Sequence, residues 1–356
     1  MNSDPFRLLA RRLDSLPNGF PATPDGVELR LLAKLFTPEE AELASQLHRT
    51  FETSAQVAAR VGGDPSPVRK LLKGMARKGL ISAGPIQGGI GFGLMPFVVG
   101  IYEMQNETLD AELAELFEQY YQQALGAKLV ESPSVHRVIP VQESIPIGLE
   151  VRPYESASAI VENSQAWGVV DCICRKQKML VGDPCEHPLD VCMTLSNRPG
   201  AFDGASSVRA LTKEEAHATL KRAAAAGLVH TLSNHQADLW YICNCCTCSC
   251  GILRGMADLG IANVVARSAY VNTVDPDRCQ LCGSCVDRCQ FNALKLDLQL
   301  EIDVQRCVGC GSCVLVCPEN ALALALRPDA EIPEVPVSNE EWMAVRARSR
   351  GIELIE

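Results

Sequence analysis

The chain has 356 residues, 47% of them hydrophobic, and a formal net charge of −10. That length predicts more than one domain, that apolar share suffices for a real core, and the acidic balance weighs against a dedicated nucleic-acid binder while leaving protein partners open. Seventeen cysteines dominate the chemistry. The opening MNSDPFRLLARRL lacks the apolar core of a signal peptide, and the longest apolar stretch, Ile90 to Tyr102, is glycine-rich and too short to cross a bilayer. The expectation is a cytoplasmic protein, where clustered cysteines ligate metal rather than form disulfides.

Residues up to about Gly26 read as a proline-broken lead-in. Leu29, Leu31, Leu32, Leu35 and Phe36 then recur at helix spacing. Thr37-Pro38-Glu39-Glu40 supplies an N-cap, a first-turn proline and two acids. Thr53-Ser54 caps a helix through Ala59 that stops at Gly62-Gly63. Asp64 or Ser66 caps the next, with Val68, Leu71, Leu72 and Met75 on its apolar face and Gly79 as its stop. Leu80-Ile81, a glycine-rich turn over 84–93 and the apolar run Leu94 to Ile101 complete a two-stranded flap. Helix, turn, helix and flap is the order of a winged helix. A helix is expected from Asn106 through Tyr121. Pro133, Pro140, Pro146 and Pro153 then punctuate an extended segment, followed by helical residues 161–166 and a buried strand over 168–171. Thr212 and Glu215 form a capping box for a helix over 212–226 with Gly227 at its end, and Leu228-Val229-His230 reads as a strand. A proline-rich stretch leads to Pro336, and Asn339 caps a terminal helix that stops at Gly351.

The most specific signal is a C-x-x-C-x-x-C-x-x-x-C run at Cys279, Cys282, Cys285 and Cys289. It recurs 28 residues later at Cys307, Cys310, Cys313 and Cys317. This spacing holds two [4Fe–4S] clusters, the fourth cysteine of each run ligating the other run's cluster. Cys279, Cys282, Cys285 and Cys317 are therefore expected on one cluster, and Cys307, Cys310, Cys313 and Cys289 on the second. Each half is expected as a strand, a cysteine loop and a short helix begun by the fourth cysteine. Gly-Ser turns aim N–H groups at the sulfurs. Gln290 stands where the second run has Pro318. The repeat resembles bacterial two-cluster ferredoxins, which implies low-potential electron transfer.

Nine further cysteines lie upstream: Cys172, Cys174, Cys185 and Cys192, then Cys243, Cys245, Cys246, Cys248 and Cys250. On an extended chain, residues i and i+2 face the same way. C-x-C pairs thus offer two thiolates to one metal, and the alternation 246, 248, 250 offers three. Nine thiolates supply two four-thiolate sites with one left over, as one or two additional [4Fe–4S] clusters or as structural zinc. The ligand grouping stays open. His187, His230 and His235 are possible ligands, though a histidine beside a proline, as His187 is, more often shapes a turn. Arg175 and Arg254 would offset cluster charge.

Cys172-Ile-Cys174-Arg175, Cys185-Glu-His187-Pro188, Gly227-Leu-Val-His230 and Asn244-Cys245-Cys246 through Arg254 together resemble a family of uncharacterised iron–sulfur proteins from anaerobic or facultative bacteria. The resemblance implies electron-transfer service to a larger oxidoreductase system. It also implies that Ser249, a cysteine in some relatives, is not an essential ligand here.

The expected architecture is α+β and multidomain. It comprises a winged-helix-like domain (1–105), a cysteine-rich α/β domain (106–270), a ferredoxin-like (βαβ)2 domain (271–327) and a tail with a short helix (328–356). No dinucleotide fingerprint, phosphate loop, haem motif or H-E-x-x-H appears. The functional expectation is an electron-transfer subunit serving a redox partner protein, an enzyme in its own right being undecided. The alternatives are a reductase with its own catalytic cluster and a redox-sensing DNA-binding regulator. The latter draws on Arg60, Arg69, Lys70, Lys73, Arg77 and Lys78 against Asp64.

Overall fold

A computed structural model describes residues 4–146, 151–261 and 264–354. It divides into two compact units, one of Met1–Lys128, Leu180–Gly182 and Met343–Glu356, the other of Leu129–Met179 and Asp183–Trp342. The cysteine-rich and ferredoxin-type segments thus share one unit.

In the first unit the lead-in is helical. Helix α1 (Pro5–Asp14) has Asp4 accepting from the Phe6 N–H and Pro5 in its first turn. Its Leu9 and Leu13 are buried, a short apolar stripe that the prolines on either side conceal in the sequence. Helices α2 (Val27–Leu35) and α3 (Pro38–Ser45) follow, the latter with a full capping box between Thr37 and Glu40. After β1 (Glu52–Thr53) come α4 (Ser54–Val61), closed by left-handed Gly62, and α5 (Pro65–Arg77), capped by Asp64. The flap differs in register from expectation. Strands β2 (Ser82–Ile86) and β3 (Gly89–Gly93) lie within the glycine-rich stretch itself, and β1 pairs with the other edge of β3. Glycines at 84, 91 and 93 admit Phe51 and Ile86 where a Cβ would stand, which is why the strand residues are glycine. Phe92 and Leu94 turn inward, and Ile90 is exposed. Helix α6 (Ala111–Tyr120) starts later than Asn106 because Asp110 is its cap, and a short α7 (Gly126–Lys128) follows.

The second unit is built on a seven-stranded sheet in the order β10-β4-β8-β9-β6-β5-β7. Its strands are β4 (His136–Val138), β5 (Ala166–Val170), β6 (Cys192–Ser196), β7 (Arg209–Leu211), β8 (Val229–Ser233), β9 (Tyr241–Cys245) and β10 (Val265–Ala266). Only β10–β4 is parallel; the rest of the ladder is antiparallel. Helix α8 (Ala157–Asn163) ends before Ala166, which opens β5 instead of closing a helix. The proline-punctuated segment reaches residues 147–150, which lie outside the described residues. Helix α9 (Ile173–Leu180) carries Cys174 in its first turn. Helix α10 (Lys213–Ala225) has the expected capping box and a left-handed Gly227 after it. A short α11 (Arg254–Asp258) follows the second cysteine group.

The ferredoxin-type segment runs β11 (Tyr270–Val274), α12 (Ser284–Arg288), β12 (Leu294–Leu296), β13 (Leu300–Ile302), a 3-10 turn at Val314–Val316 and β14 (Leu322–Leu326). β11 pairs antiparallel with β14, and β12 with β13. The fourth cysteine of each run ends the short helical turn rather than beginning it: Cys289 and Cys317 are both C-caps in extended conformation. The terminal helix α13 (Asn339–Arg350) begins at Asn339, and the Ser338 hydroxyl accepts from the Glu341 N–H in the capping role expected of Asn339.

Candidate metal centre

The repeated cysteine loops face each other about a common apolar core. Cys285 and Cys313 are buried together with Leu294, Leu300 and Leu322, and Cys279, Cys289 and Cys317 pack on that cluster. Cys279, Cys282, Cys285 and Cys317 line one cavity, closed otherwise by Leu281, Leu296, Leu300 and Pro318. Cys317 of the second run thus lines the same cavity as three cysteines of the first. On the other side, Cys289 and Cys307 stand close enough to Cys310 and Cys313 to disfavour their thiolate forms. After burial, which is the main cause, charge on Cys289 and Cys307 pushes Cys310 up to about 11. Burial likewise drives Cys313 above the ordinary thiol range. The thiolate, not the thiol, ligates metal, so a cationic cluster core would displace these protons on binding.

Backbone donors sit where cluster sulfur needs them. The Ala293 N–H points to Cys289 Sγ at 3.4 Å and its repeat partner, the Ala321 N–H, to Cys317 Sγ at 3.2 Å. The Ser284 N–H bonds Cys282 and lowers its pKa, and Ser312 does the same for Cys310 against a larger desolvation effect. Asn292 and Asn320, also 28 apart, take the left-handed conformation that sharpens each turn. The two sites differ in exposure. Cys282 is exposed and Leu281 beside it is 42% exposed, whereas Cys307 and Cys313 are buried. The second loop lies under residues of the cysteine-rich segment: the Val141 N–H donates to the Cys310 carbonyl at 2.9 Å, and the Ser268 N–H to the Val308 carbonyl at 3.0 Å.

The upstream cysteines divide six and three. β6 and β9 pair Met193 with Ile242, a register that sets Cys192 opposite Cys243. Cys243 and Cys245 share a face of β9, as two-residue spacing requires. Cys172 follows β5, and Cys174 follows it onto α9. Sulfur contacts then close a circuit: Cys172 with Cys174 and Cys192, Cys192 with Cys243, Cys243 with Cys245, Cys245 with Cys250, and Cys250 with Cys174. Hydrogen bonds from Cys174 and Cys192, with Arg175 nearby, hold Cys172 well below the usual thiol range. The other five are pushed above it, Cys174 and Cys192 chiefly by Cys172. The Thr231 hydroxyl reaches Cys245 Sγ at 3.3 Å and His136 Nδ1 at 3.4 Å, and His136 Nε2 reaches the Tyr241 hydroxyl at 2.8 Å.

Cys185, Cys246 and Cys248 form the second group, with His187. Their four ligand atoms lie within 4.8 Å of one another. The expected alternation of Cys246, Cys248 and Cys250 toward one metal does not occur. β9 ends at Cys245, and a turn closed by the Cys250 N–H on the Cys246 carbonyl at 3.0 Å sends Cys250 back to the six. Hydrogen bonding from Cys248 and then His187, with the charge of Arg175 nearby, pulls Cys246 down to about 3, while His187 is raised, first by Cys246. Arg175 is buried between the groups, donating to the Pro188 carbonyl at 2.9 Å and the Asn244 carbonyl at 2.7 Å. Burial opposes its charge, but attraction to Cys172, Cys246, Cys192 and Cys245 prevails and raises its pKa. Arg254 instead pairs with Asp258 at 2.8 Å. His230 bonds Asn244 and His235 donates to the Ala237 carbonyl, so neither stands among the cysteine contacts described.

Gln290, read in the sequence only as a missing proline, has a positive role. Its Oε1 accepts from the Thr247 N–H at 2.7 Å and its Nε2 donates to the Gly227 carbonyl. A proline could make neither bond, so the departure from the second run ties the ferredoxin loop to the cysteine-rich turn. Nothing in the one-dimensional pattern distinguishes this glutamine; the signal is that it breaks the repeat.

No described helix is long and apolar enough to cross a membrane. No curated protein and no solved structure matches the chain. Residues 272–295 and 300–323 each match the family model described as a 4Fe-4S binding domain, so this segment is of the ferredoxin type and its two repeats fit two [4Fe–4S] clusters.

Proposed function

We propose that the chain relays single electrons between a redox partner protein and a metal group held by the six upstream cysteines, through two ferredoxin-type clusters. The observation that carries this reading is the unequal exposure of the paired cysteine sets. One set opens to solvent at Cys282, and the other is covered by the segment that bears the upstream cysteines. The cluster on Cys279, Cys282, Cys285 and Cys317 is then the outer station, with Leu281 at its rim. The cluster on Cys307, Cys310, Cys313 and Cys289 is the inner one. When bound, the clusters supply the one-electron chemistry; the protein supplies burial, N–H donors to sulfur and docking. A third iron–sulfur cluster in the six-cysteine group extends the relay, in keeping with the resemblance to iron–sulfur proteins of anaerobic bacteria and with a cytoplasmic, thiol-preserving setting.

Iron and labile sulfide counts on anaerobically purified chain, with EPR of the reduced form, test the reading. About eight irons come from the ferredoxin pair alone, and a count above that signals the third cluster. A count of about eight removes the upstream cluster and with it the relay's destination, and fewer than about eight, with no cubane signal after reconstitution, removes the relay altogether.

The helix pair α4–α5 followed by β2 and β3 supports reading the first unit as a winged helix. Two of its expected cations are engaged, Lys78 with Glu40 at 2.8 Å and Arg60 with Glu52. Arg69, Lys70, Lys73 and Arg77 stay exposed on α5. Four cations suit an acidic partner surface; the regulator alternative needs a salt-dependent shift of duplex DNA, and no binding at low salt removes it.

A further inference from the structure

The geometry points to a mononuclear zinc site at Cys185, His187, Cys246 and Cys248, separate from any iron–sulfur cluster. Cys185 Sγ lies 4.0 Å from Cys246 Sγ, and Cys248 Sγ lies 3.7 Å from His187 Nδ1. All four ligand atoms fall within 4.8 Å of one another. Zinc–sulfur bonds of about 2.3 Å and zinc–nitrogen bonds of about 2.0 Å put tetrahedral edges at about 3.8 Å between sulfurs and about 3.5 Å between sulfur and nitrogen. The observed separations fit that tetrahedron. A cubane places each thiolate on a different iron and so spreads its ligands farther apart than a single ion does. Three thiolates with one imidazole is also a structural zinc set.

The surroundings complete the site. Ser249, 1% exposed, donates its hydroxyl to Cys185 Sγ at 3.2 Å and lies 3.9 Å from Cys248 Sγ. A serine here serves the ligands without being one. Arg175 fixes the backbone at Pro188, next to His187, and at Asn244, two residues before Cys246, and offsets the surplus negative charge of three thiolates on one divalent ion. The ligands come as two pairs, Cys185 and His187 on the loop before β6, Cys246 and Cys248 on the turn after β9. One ion therefore staples the two loops. Thr247, between two of the ligands, is the residue that Gln290 holds. The staple thus fixes the turn on which the ferredoxin segment rests, whether or not the clusters carry electrons in the manner proposed above.

The test is metal analysis of the full chain purified under argon, with zinc-edge X-ray absorption. Expected are about one zinc per chain and a shell of three sulfurs and one nitrogen. His187→Ala and Cys248→Ser should each lose the zinc while iron, sulfide and the ferredoxin EPR signals stay at parent levels; those signals also report that the variants fold. Cys174→Ser should retain it. No zinc in the parent chain, a shell of four sulfurs, or loss of iron and sulfide in step with His187→Ala or Cys248→Ser would overturn the assignment. The iron count decides the relay and the zinc count decides the staple, so either can fail alone.

Discussion

The two halves of the repeat are chemically alike and physically unequal at single residues. Gly283 and Gly311 occupy the same place in their loops, with φ of 82° and 78°. A Cβ at 283 meets only Leu296 Cδ2 at 3.8 Å, whereas one at 311 runs into the Ser144 side chain. Alanine at either position carries the left-handed backbone cost of about 1 kcal/mol. Only Gly311→Ala adds overpacking, about 1–3 kcal/mol more. Anaerobic thermal unfolding should therefore rank Gly311→Ala well below Gly283→Ala, with earlier release of iron; equal losses would contradict the covered position of the inner loop. The same asymmetry explains Leu281, left-handed at φ 55°, where the second run has Gly309, whose Cβ would strike the Tyr270 carbonyl. The repeated cysteine pattern of the ferredoxin-type segment was legible in the sequence because its spacing is local, and both repeats match the 4Fe-4S binding domain. His187 was not. Its partner Cys246 lies 59 positions away, and no local spacing carries that contact.

At the scale of elements, the sheet decides what the cysteines do. The division into six and three follows from the β6–β9 register and from the turn that ends β9, both long-range facts that a C-x-C count cannot contain. Helices with caps, α3, α4 and α10, were readable because a capping box is a four-residue pattern; α1 was hidden by its prolines, and the flap by glycines that read as a turn. The sheet also carries a pH dependence. His136 on β4 is 3% exposed and burial lowers its pKa to about 3; burial also lowers His230 on β8. A histidine whose folded pKa is depressed stays neutral in the native state while the unfolded chain takes up a proton below about 6.5. Its contribution is present above that pH and is lost as pH falls toward the folded value. For His136 the loss approaches about 1.4 kcal/mol per pH unit. His136→Asn should flatten the fall in denaturant midpoint between about pH 6.5 and 5 relative to the parent chain. An unchanged slope would mean that the imidazole is protonated in the native sheet.

Across the whole second unit, the cysteines succeed one another from surface to interior. Cys282 is exposed, Cys285 and Cys313 pack in one core between the paired sites, and Cys289 passes directly into Gln290. From Gln290 two hydrogen bonds lead to Thr247 and Gly227, and Thr247 is two residues from Cys245 in the six-cysteine circuit. This side chain joins the inner ferredoxin loop to the turn that carries the upstream cysteines. Gln290→Ala removes it without touching a ligand. Losing the two bonds costs about 1–3 kcal/mol, a modest drop in thermal stability. The effect on electron flow should be larger and selective. Freeze-quenched EPR after mixing with a chemical reductant should show the ferredoxin signals appearing at the parent rate and the upstream signal appearing severalfold more slowly. Gln290→Pro, which restores the pattern of the second run, should slow that step as well, since proline cannot reach Thr247 with an acceptor or Gly227 with a donor. An upstream signal that rises at the parent rate in both variants would show that electrons reach the six-cysteine group by another path, and the direction of the relay would have to be redrawn from the outer site at Cys282.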